Sequence, residues 1–328
     1  MLVVPTFRTF AGASRPVRRE VAVSPAFARL PPPLIIIGMH RSGTSLVSGM
    51  LSCMGGFMDP AWPRVTGADA IIPPGPLVRR NGYGEATAFR LLNERLLHWA
   101  GAEWDNPSEF LKQRDGAAFE ARCLRAIQSA TFTTLRTGYL SKAPSRRPAA
   151  WGWKDPRNSL TIPFWLEAFP DARILHVRRN ADAIVDSLMK REQSRERTIV
   201  RSSMSARIMR VAANPRLLID RMARRLAPDS RRPAPHAPLD RDRAYRLVDE
   251  YVSECLRYRA LGSRYEEVHY EDILIAPRTL ASRIAEFGGV AASGESISNA
   301  ASFVTQPDSS NTVKSSQRSP FSAEEAPR

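Results

Sequence analysis

The sequence predicts an α/β domain, a doubly wound parallel β-sheet flanked by helices. Two segments support this prediction, because each contains a short, continuously apolar run, then a turn, then a helical pattern. The first begins with the run at 34–37 and continues into a helix at 44–54. The second begins with ARILHV at 172–177 and continues into a helix at 180–191. A run that is apolar at every position is typical of a strand buried on both faces of a parallel sheet.

The other elements are predicted from shorter patterns. Helical patterns occur at 85–100, about 115–136, 240–262 and 277–287, and strand-like runs at 151–153 and 265–270. Residues 59–84 are rich in proline and glycine, which indicates a long binding loop. The segment at about 191–240 has many arginines in helical patterning, at 191–232 above all, and is predicted to be an inserted helical lid.

The predicted domain extends over 34–305, between a basic tail at 1–33 and a polar tail at 306–328. The first tail contains several arginines, a single acid and no long apolar core, so we expect a disordered segment rather than a signal peptide. No other run approaches the length needed to span a bilayer. The three cysteines lie far apart, which indicates neither a disulfide framework nor a zinc site and favours a reducing cytoplasm.

The charge of the chain restricts its partners. The formal net charge is +15 and the sequence pI is about 10.6. Such a balance indicates anionic partners, namely nucleotides, nucleic acid, acidic glycans or a membrane surface. Charge alone does not choose among them.

The stretch GMHRSGTS at 38–45 follows the first predicted strand and precedes the first predicted helix. Gly38 and Gly43 allow the backbone to turn its N–H groups inward, and the helix amino terminus adds partial positive charge, so the loop can hold an anion. The stretch is close to the phosphate loop G-x-x-x-x-G-K-[ST] and makes the predicted fold P-loop-like. However, Thr44 stands where the lysine should be, and Arg41 lies three positions earlier.

The missing lysine disfavours phosphoryl transfer from a triphosphate. In nucleoside triphosphatases that lysine reaches the β and γ phosphates, and a Mg²⁺ ion bridges them with the help of an acidic residue. No apolar strand of this sequence ends in an unambiguous metal-binding aspartate. A donor with one phosphate beside the reacting group needs its cation nearer the start of the loop, where Arg41 lies, and we expect it to react without a metal.

GMHRSGTS resembles the 5′-phosphosulfate-binding loop of the sulfotransferases that use 3′-phosphoadenosine 5′-phosphosulfate. In that family the basic residue before Ser-Gly-Thr contacts the phosphosulfate and stabilises the leaving oxygen. Arg41 matches that residue here. The resemblance implies that four more loop residues bind the donor together with Arg41, namely Ser42, Gly43, Thr44 and Ser45.

A second stretch, ILHVRRNADAIVDSL, resembles the family's 3′-phosphate site. It places Ser187 eight positions after Arg179, the spacing at which the family holds that phosphate with arginine and serine. At a strand end and two helical turns further on, the two side chains could grip a phosphate from two sides. An ordinary amphipathic helix with a surface arginine is the alternative interpretation.

Two further stretches resemble the family's reaction site. WGWKDPRNSL resembles a Lys-Asp-Pro segment at a strand end, so Lys154 is expected to reach toward the transferred sulfuryl group, and Asp155 and Arg157 to hold the turn. NGYGEATAFRLLNERLL resembles an Asn-Pro-x-Gly-Tyr-x-Glu segment, with Gly82 replacing the proline. The resemblance makes Glu85 the base for the acceptor hydroxyl, although a first-turn glutamate that favours the helix dipole is the alternative.

The resemblance covers about residues 34–290. VHYEDILIAPRTL is similar to the family's late Tyr-Glu-Asp segment, so Tyr270 is expected near the cofactor. Lys314 is the candidate for the basic residue that closes over the 3′-phosphate. The five histidines show neither metal-site nor catalytic-triad spacing, and His176 is expected to pack within its strand.

The predicted function is therefore transfer of a sulfuryl group to a hydroxyl, or to an amine, of a small molecule, glycan or lipid. One alternative is a P-loop kinase acting on a small molecule, and another is a basic module that binds nucleic acid or anionic glycan without catalysis. Nucleic acid is disfavoured, because the arginine-rich segment at 191–232 lacks the interleaved aromatic residues of a stacking platform. That segment would also suit peripheral contact with a membrane.

Overall fold

The structure, a computed structural model, describes residues 22–59, 85–145, 147–201 and 239–305. Its centre is a parallel sheet of four strands in the order β2-β1-β3-β4. The strands are β1 at Leu34–Ile37, β2 at Gly152–Lys154, β3 at Arg173–Arg178 and β4 at Tyr265–His269. All four coincide with predicted strands to within one or two residues, and the predicted α/β fold class is confirmed.

Both faces of the sheet are buried, as the apolar runs predict. Along β1 the side chains alternate, so that Ile35 and Ile37 belong to one hydrophobic core while Leu34 and Ile36 belong to the other. All four are at most 2% exposed. A sheet with a core on each face is the doubly wound arrangement.

Helices cover both cores. In chain order they are α1 at Pro25–Ala28, α2 at Thr44–Cys53, α3 at Thr87–Trp99, α4 at Ser108–Arg114, α5 at Ala117–Phe132, α6 at Thr134–Gly138, α7 at Asn158–Ala168, α8 at Ala181–Arg201, α9 at Arg241–Leu256, α10 at Tyr270–Ile275, α11 at Pro277–Gly288 and α12 at Gly294–Thr305. A 3₁₀ helix, Arg257–Arg264, joins α9 to β4. Of the described helices, none is both long and apolar enough to cross a membrane.

Several boundaries differ from the prediction. Phe27 of α1 is 2% exposed and packs against Trp151, so contacts with the core begin before residue 34. The helix predicted at 180–191 continues to Arg201 in α8, which includes the start of the predicted lid. The rest of the lid, at 202–238, lies outside the described residues, as do most of the predicted binding loop and the polar tail.

The parallel strands place the predicted site residues at one edge of the sheet. The loop at 38–43 follows β1, Lys154 ends β2, Arg179 follows β3 and Tyr270 follows β4. The carboxyl ends of parallel strands lie on the same side, and this edge is where open α/β sheets bind ligands.

Candidate active site

The loop after β1 makes a tight turn that depends on its two glycines. Gly38 and Gly43 have φ angles of 142° and 98°, a backbone region that favours glycine. A Cβ atom at Gly38 would lie 2.5 Å from the carbonyl oxygen of Val177, and one at Gly43 would collide with the ring of Tyr270. The close approach of β3 and of the start of α10 to the loop therefore requires glycine at both positions.

The loop combines a buried hydroxyl that has no partner among the described residues with a helix start that no side chain caps. Ser42 is 1% exposed, and its buried hydroxyl oxygen finds no hydrogen-bond partner in the described part of the chain. Gly43 is the N-cap of α2, and no side chain caps the first N–H groups of that helix. Thr44 and Ser45 form the start of α2 beside these amides. The turn is thus suited to hold an anionic group.

Four of the predicted donor-binding residues meet at the loop. The Nε atom of Arg41 donates a hydrogen bond of 2.8 Å to the hydroxyl of Ser187 in α8. Arg179 donates one of 3.0 Å from Nη1 to the backbone carbonyl of Arg41. The Arg179 guanidinium also lies 4.4 Å from the centroid of the Tyr270 ring. Residues separated by up to 229 positions in the sequence therefore form one cluster.

The backbone and the charge of Arg41 are both unusual. Its φ angle is 72°, a left-handed conformation that residues other than glycine rarely adopt. Desolvation, followed by the guanidinium groups of Arg191 and Arg179, lowers the pKa of Arg41. Three arginines in one place repel one another, so the cluster would gain stability from an anion.

The two other predicted catalytic residues form an ion pair. The Nζ atom of Lys154, whose side chain is 1% exposed, lies 3.1 Å from Oε1 of Glu85. Glu85 comes two residues before α3 begins at Thr87, so it is not in the first helical turn. The alternative interpretation of Glu85 as a first-turn glutamate is therefore wrong, because its carboxylate contacts β2 instead.

A buried polar network supports the turn that follows Lys154. Asp155 accepts hydrogen bonds from the backbone N–H and the guanidinium of Arg157 and from the Asn93 amide. Asn93 also donates to Asn158 at the start of α7. Asp155 and Arg157 hold the turn, as predicted. Because Asn93 lies in α3, the network ties the helix that follows Glu85 to the strand end that bears Lys154.

Two contributors to the site were not predicted. Ser159 accepts a hydrogen bond of 3.0 Å from the Gly38 backbone N–H, and no sequence signal relates residues 121 positions apart. Arg191 follows Ser187 by four positions on α8 and therefore lies on the same face of that helix. This spacing could have identified Arg191 from the sequence. Lys314, by contrast, lies outside the described residues.

Fold and site together define a P-loop-like α/β protein in which arginine side chains surround a phosphate loop. The sequence of residues 32–231 matches the profile of the Sulfotransferase family. The chain belongs to this family, as its motifs predict, and its class of reaction is the transfer of a sulfuryl group. Among curated protein sequences none matches it significantly.

Solved structures of similar chains include two bacterial examples. One is the sulfotransferase domain from the curacin biosynthetic pathway, at 15% identity and a TM-score of 0.40, with 82% of this chain and 77% of that chain covered. Another is the sulfotransferase STF1 from Mycobacterium tuberculosis, at 15% identity and a TM-score of 0.41, with 85% and 71% covered.

Proposed function

We propose that this sulfotransferase takes the sulfuryl group from 3′-phosphoadenosine 5′-phosphosulfate and passes it to a hydroxyl, or to an amine, of a small molecule, glycan or lipid. The observation that supports this donor best is the contact between Arg41 and Ser187. It brings together the two motifs that resemble the family's 5′-phosphosulfate and 3′-phosphate sites, although they are 146 positions apart in the sequence.

The residues at the loop fit a donor with two separated anionic groups. The amides at the start of α2, which no side chain caps, and the hydroxyl of Ser42, which has no hydrogen-bond partner among the described residues, would hold the 5′-phosphate. Arg179 and Ser187 would hold the 3′-phosphate. The buried Nε atom of Arg179 likewise finds no hydrogen-bond partner in the part of the chain that the structure describes. Tyr270 would contact the nucleotide beside Gly43.

The positions of the charged side chains support specific roles for them in the reaction. When bound, the donor supplies a sulfuryl group whose bond to the bridging phosphate oxygen breaks as its bond to the acceptor oxygen forms. Arg41 and Lys154 would stabilise the negative charge that develops on the bridging oxygen. A guanidinium has five N–H donors, and the bond to Ser187 uses one of those of Arg41.

Glu85 would take the proton that the acceptor hydroxyl loses. Its carboxylate is 21% exposed and therefore reachable, while the buried Lys154 ammonium holds one of its oxygens in place. A positioned carboxylate can act as a general base when it lies within hydrogen-bond reach of the hydroxyl. The same lysine would thus orient the base and stabilise the leaving group.

Calorimetric titration tests the proposed donor. The protein is titrated with 3′-phosphoadenosine 5′-phosphate in the presence of a chelator and, separately, with ATP and Mg²⁺. We expect tight binding of the bisphosphate without metal, and a loss of at least about tenfold in Arg179→Ala, because a charge-assisted hydrogen bond is removed.

Arg125→Ala is the matched control, since it removes the same charge from an exposed position on α5. It should leave bisphosphate binding unchanged. Binding of ATP with Mg²⁺ but not of the bisphosphate would contradict the proposed donor and favour a kinase. Equal losses in both arginine variants would indicate binding through net charge alone, and would contradict the assignment of Arg179.

A further inference from the structure

His40 occupies a buried position inside the phosphate loop, directly before Arg41. The residue is 8% exposed, and its ring packs against Trp104 and Tyr251 at centroid distances of 4.4 Å and 6.2 Å. Its Nε2 atom is buried and has no hydrogen-bond partner among the described residues. A buried polar atom without a partner costs stability, so a ligand that forms a hydrogen bond with this nitrogen would remove that cost.

The surroundings of His40 keep its ring neutral and favour an anion beside it. Burial lowers the pKa of His40 well below its usual value, and the charges of Arg157, Arg191, Lys154 and Arg41 lower the pKa further. A neutral imidazole has one N–H donor and one acceptor nitrogen. Because the charges that act on the ring are positive, oxygens with negative charge are the groups best suited to receive its N–H.

The position of His40 indicates which oxygens these are. Arg41, one of the two cations proposed to act on the breaking bond, is the next residue in the loop, and the charge of the other, Lys154, also lowers the pKa of His40. Trp104 and Tyr251 cover the ring, so Nε2 is not available to bulk water. A donor held in this dry place can contact a ligand without competition from solvent.

We propose that Nε2–H of His40 donates a hydrogen bond to an oxygen of the transferred sulfuryl group when the donor is bound. This inference rests on the proposed function. It adds a third residue to Arg41 and Lys154 at the reacting group, and it gives a partner to the buried Nε2 atom, which has none among the described residues. The hydrogen bond distinguishes the phosphosulfate from the bisphosphate, because only the former has the sulfuryl group.

A comparison of two ligands tests this role without any acceptor. The wild type, His40→Phe and His40→Gln are titrated with 3′-phosphoadenosine 5′-phosphosulfate and with 3′-phosphoadenosine 5′-phosphate. Phenylalanine keeps the ring contacts with Trp104 and Tyr251 but has no donor, whereas glutamine restores an N–H. We expect His40→Phe to bind the phosphosulfate about ten- to a hundredfold more weakly and the bisphosphate within about threefold of the wild type.

The other variants keep the test decisive. His40→Gln should recover part of the lost affinity for the phosphosulfate. His98→Gln is the control, since His98 pairs with Glu103 and belongs neither to the loop nor to the reaction site. If His40→Phe does not fold, His40→Leu replaces it as the variant without a donor. Thermal unfolding should show His40→Phe to be at least as stable as the wild type, because the unpartnered nitrogen is gone.

The possible failures are distinguishable. If the wild type binds neither ligand, both the proposed function and this role of His40 are contradicted. If the wild type binds both and His40→Phe loses both equally, His40 shapes the loop and does not contact the sulfuryl group. If His40→Phe changes neither affinity, the imidazole does not touch the donor, and the proposal is overturned in favour of packing or of contact with the acceptor.

Discussion

The ion pair between Lys154 and Glu85 gives the sharpest prediction about stability. Their charged atoms are 3.1 Å apart, and their side chains are 1% and 21% exposed. With an effective dielectric constant of about 20, the attraction amounts to roughly 5 kcal/mol before desolvation is subtracted. Glu85→Ala leaves the lysine buried without its partner, and removal of one member of such a pair costs about 3 kcal/mol. We therefore expect the melting temperature to fall by roughly 6–12 °C.

A double-mutant cycle measures this interaction by urea unfolding of Glu85→Ala, Lys154→Met and the double variant. We expect the double variant to be more stable than the sum of the two single changes predicts, by at least about 1 kcal/mol. The exposed pair of Glu109 and Lys112, at 2.7 Å, is the control, and Glu109→Ala should cost at most about 0.5 kcal/mol. A coupling energy near zero for the buried pair would refute the reasoning.

Three further predictions concern the loop and a residue that contacts it. Gly43→Ala should lower stability by roughly 1–3 kcal/mol and weaken bisphosphate binding, because a methyl group at this left-handed position collides with Tyr270; wild-type values in unfolding and calorimetry would contradict the described turn. Ser187→Ala should weaken bisphosphate binding about tenfold at unchanged stability, and a variant that binds normally would remove this serine from the donor site. The pKa of His40 lies below its value in the unfolded chain, so its contribution to stability is present above about pH 6.5 and is lost as the pH falls. Between pH 7.5 and 5.5 the wild type should therefore lose roughly 1 kcal/mol more than His40→Phe in urea unfolding, and parallel losses would show that His40 titrates normally.

The strands could be predicted because their burial on both faces determines which residues occur in the local sequence. β1 and β3 lie between two cores, and residues buried on both faces must be apolar at successive positions. The loop residues could be predicted because glycine spacing reflects a backbone requirement. In both cases the signal lies within about ten residues.

The helix α7 was missed for a physical reason. Asn158–Ala168 is buried on nearly every side, so it lacks the polar face that produces a helical period, and it contains Pro163. The helix α12 was missed because small and hydroxyl residues dominate its sequence, although it packs against α2 and α11. Tertiary contacts stabilise both helices, and these contacts leave no periodic pattern in the local sequence.

Contacts across the chain were the other part that could not be predicted. The motifs place Glu85 and Lys154 in one reaction site, but nothing in the sequence shows that the two side chains, 69 positions apart, form an ion pair, or that Nε2 of His40 is buried without a partner among the described residues. The motifs give the identity of the residues, but the parallel order of the strands determines which of them meet.

The structure also explains why the cation of this loop stands at position 41 and not at 44. Thr44 is 3% exposed at the start of α2, and its methyl group would lie 3.2 Å from a Cβ atom at Gly38. A lysine there would have to leave a packed position to reach a ligand. Arg41 is exposed, and its left-handed backbone is held by the bond from Arg179 to its carbonyl. The placement of the cation therefore depends on a side chain proposed to bind the 3′-phosphate, so recognition at the two ends of the donor should be coupled.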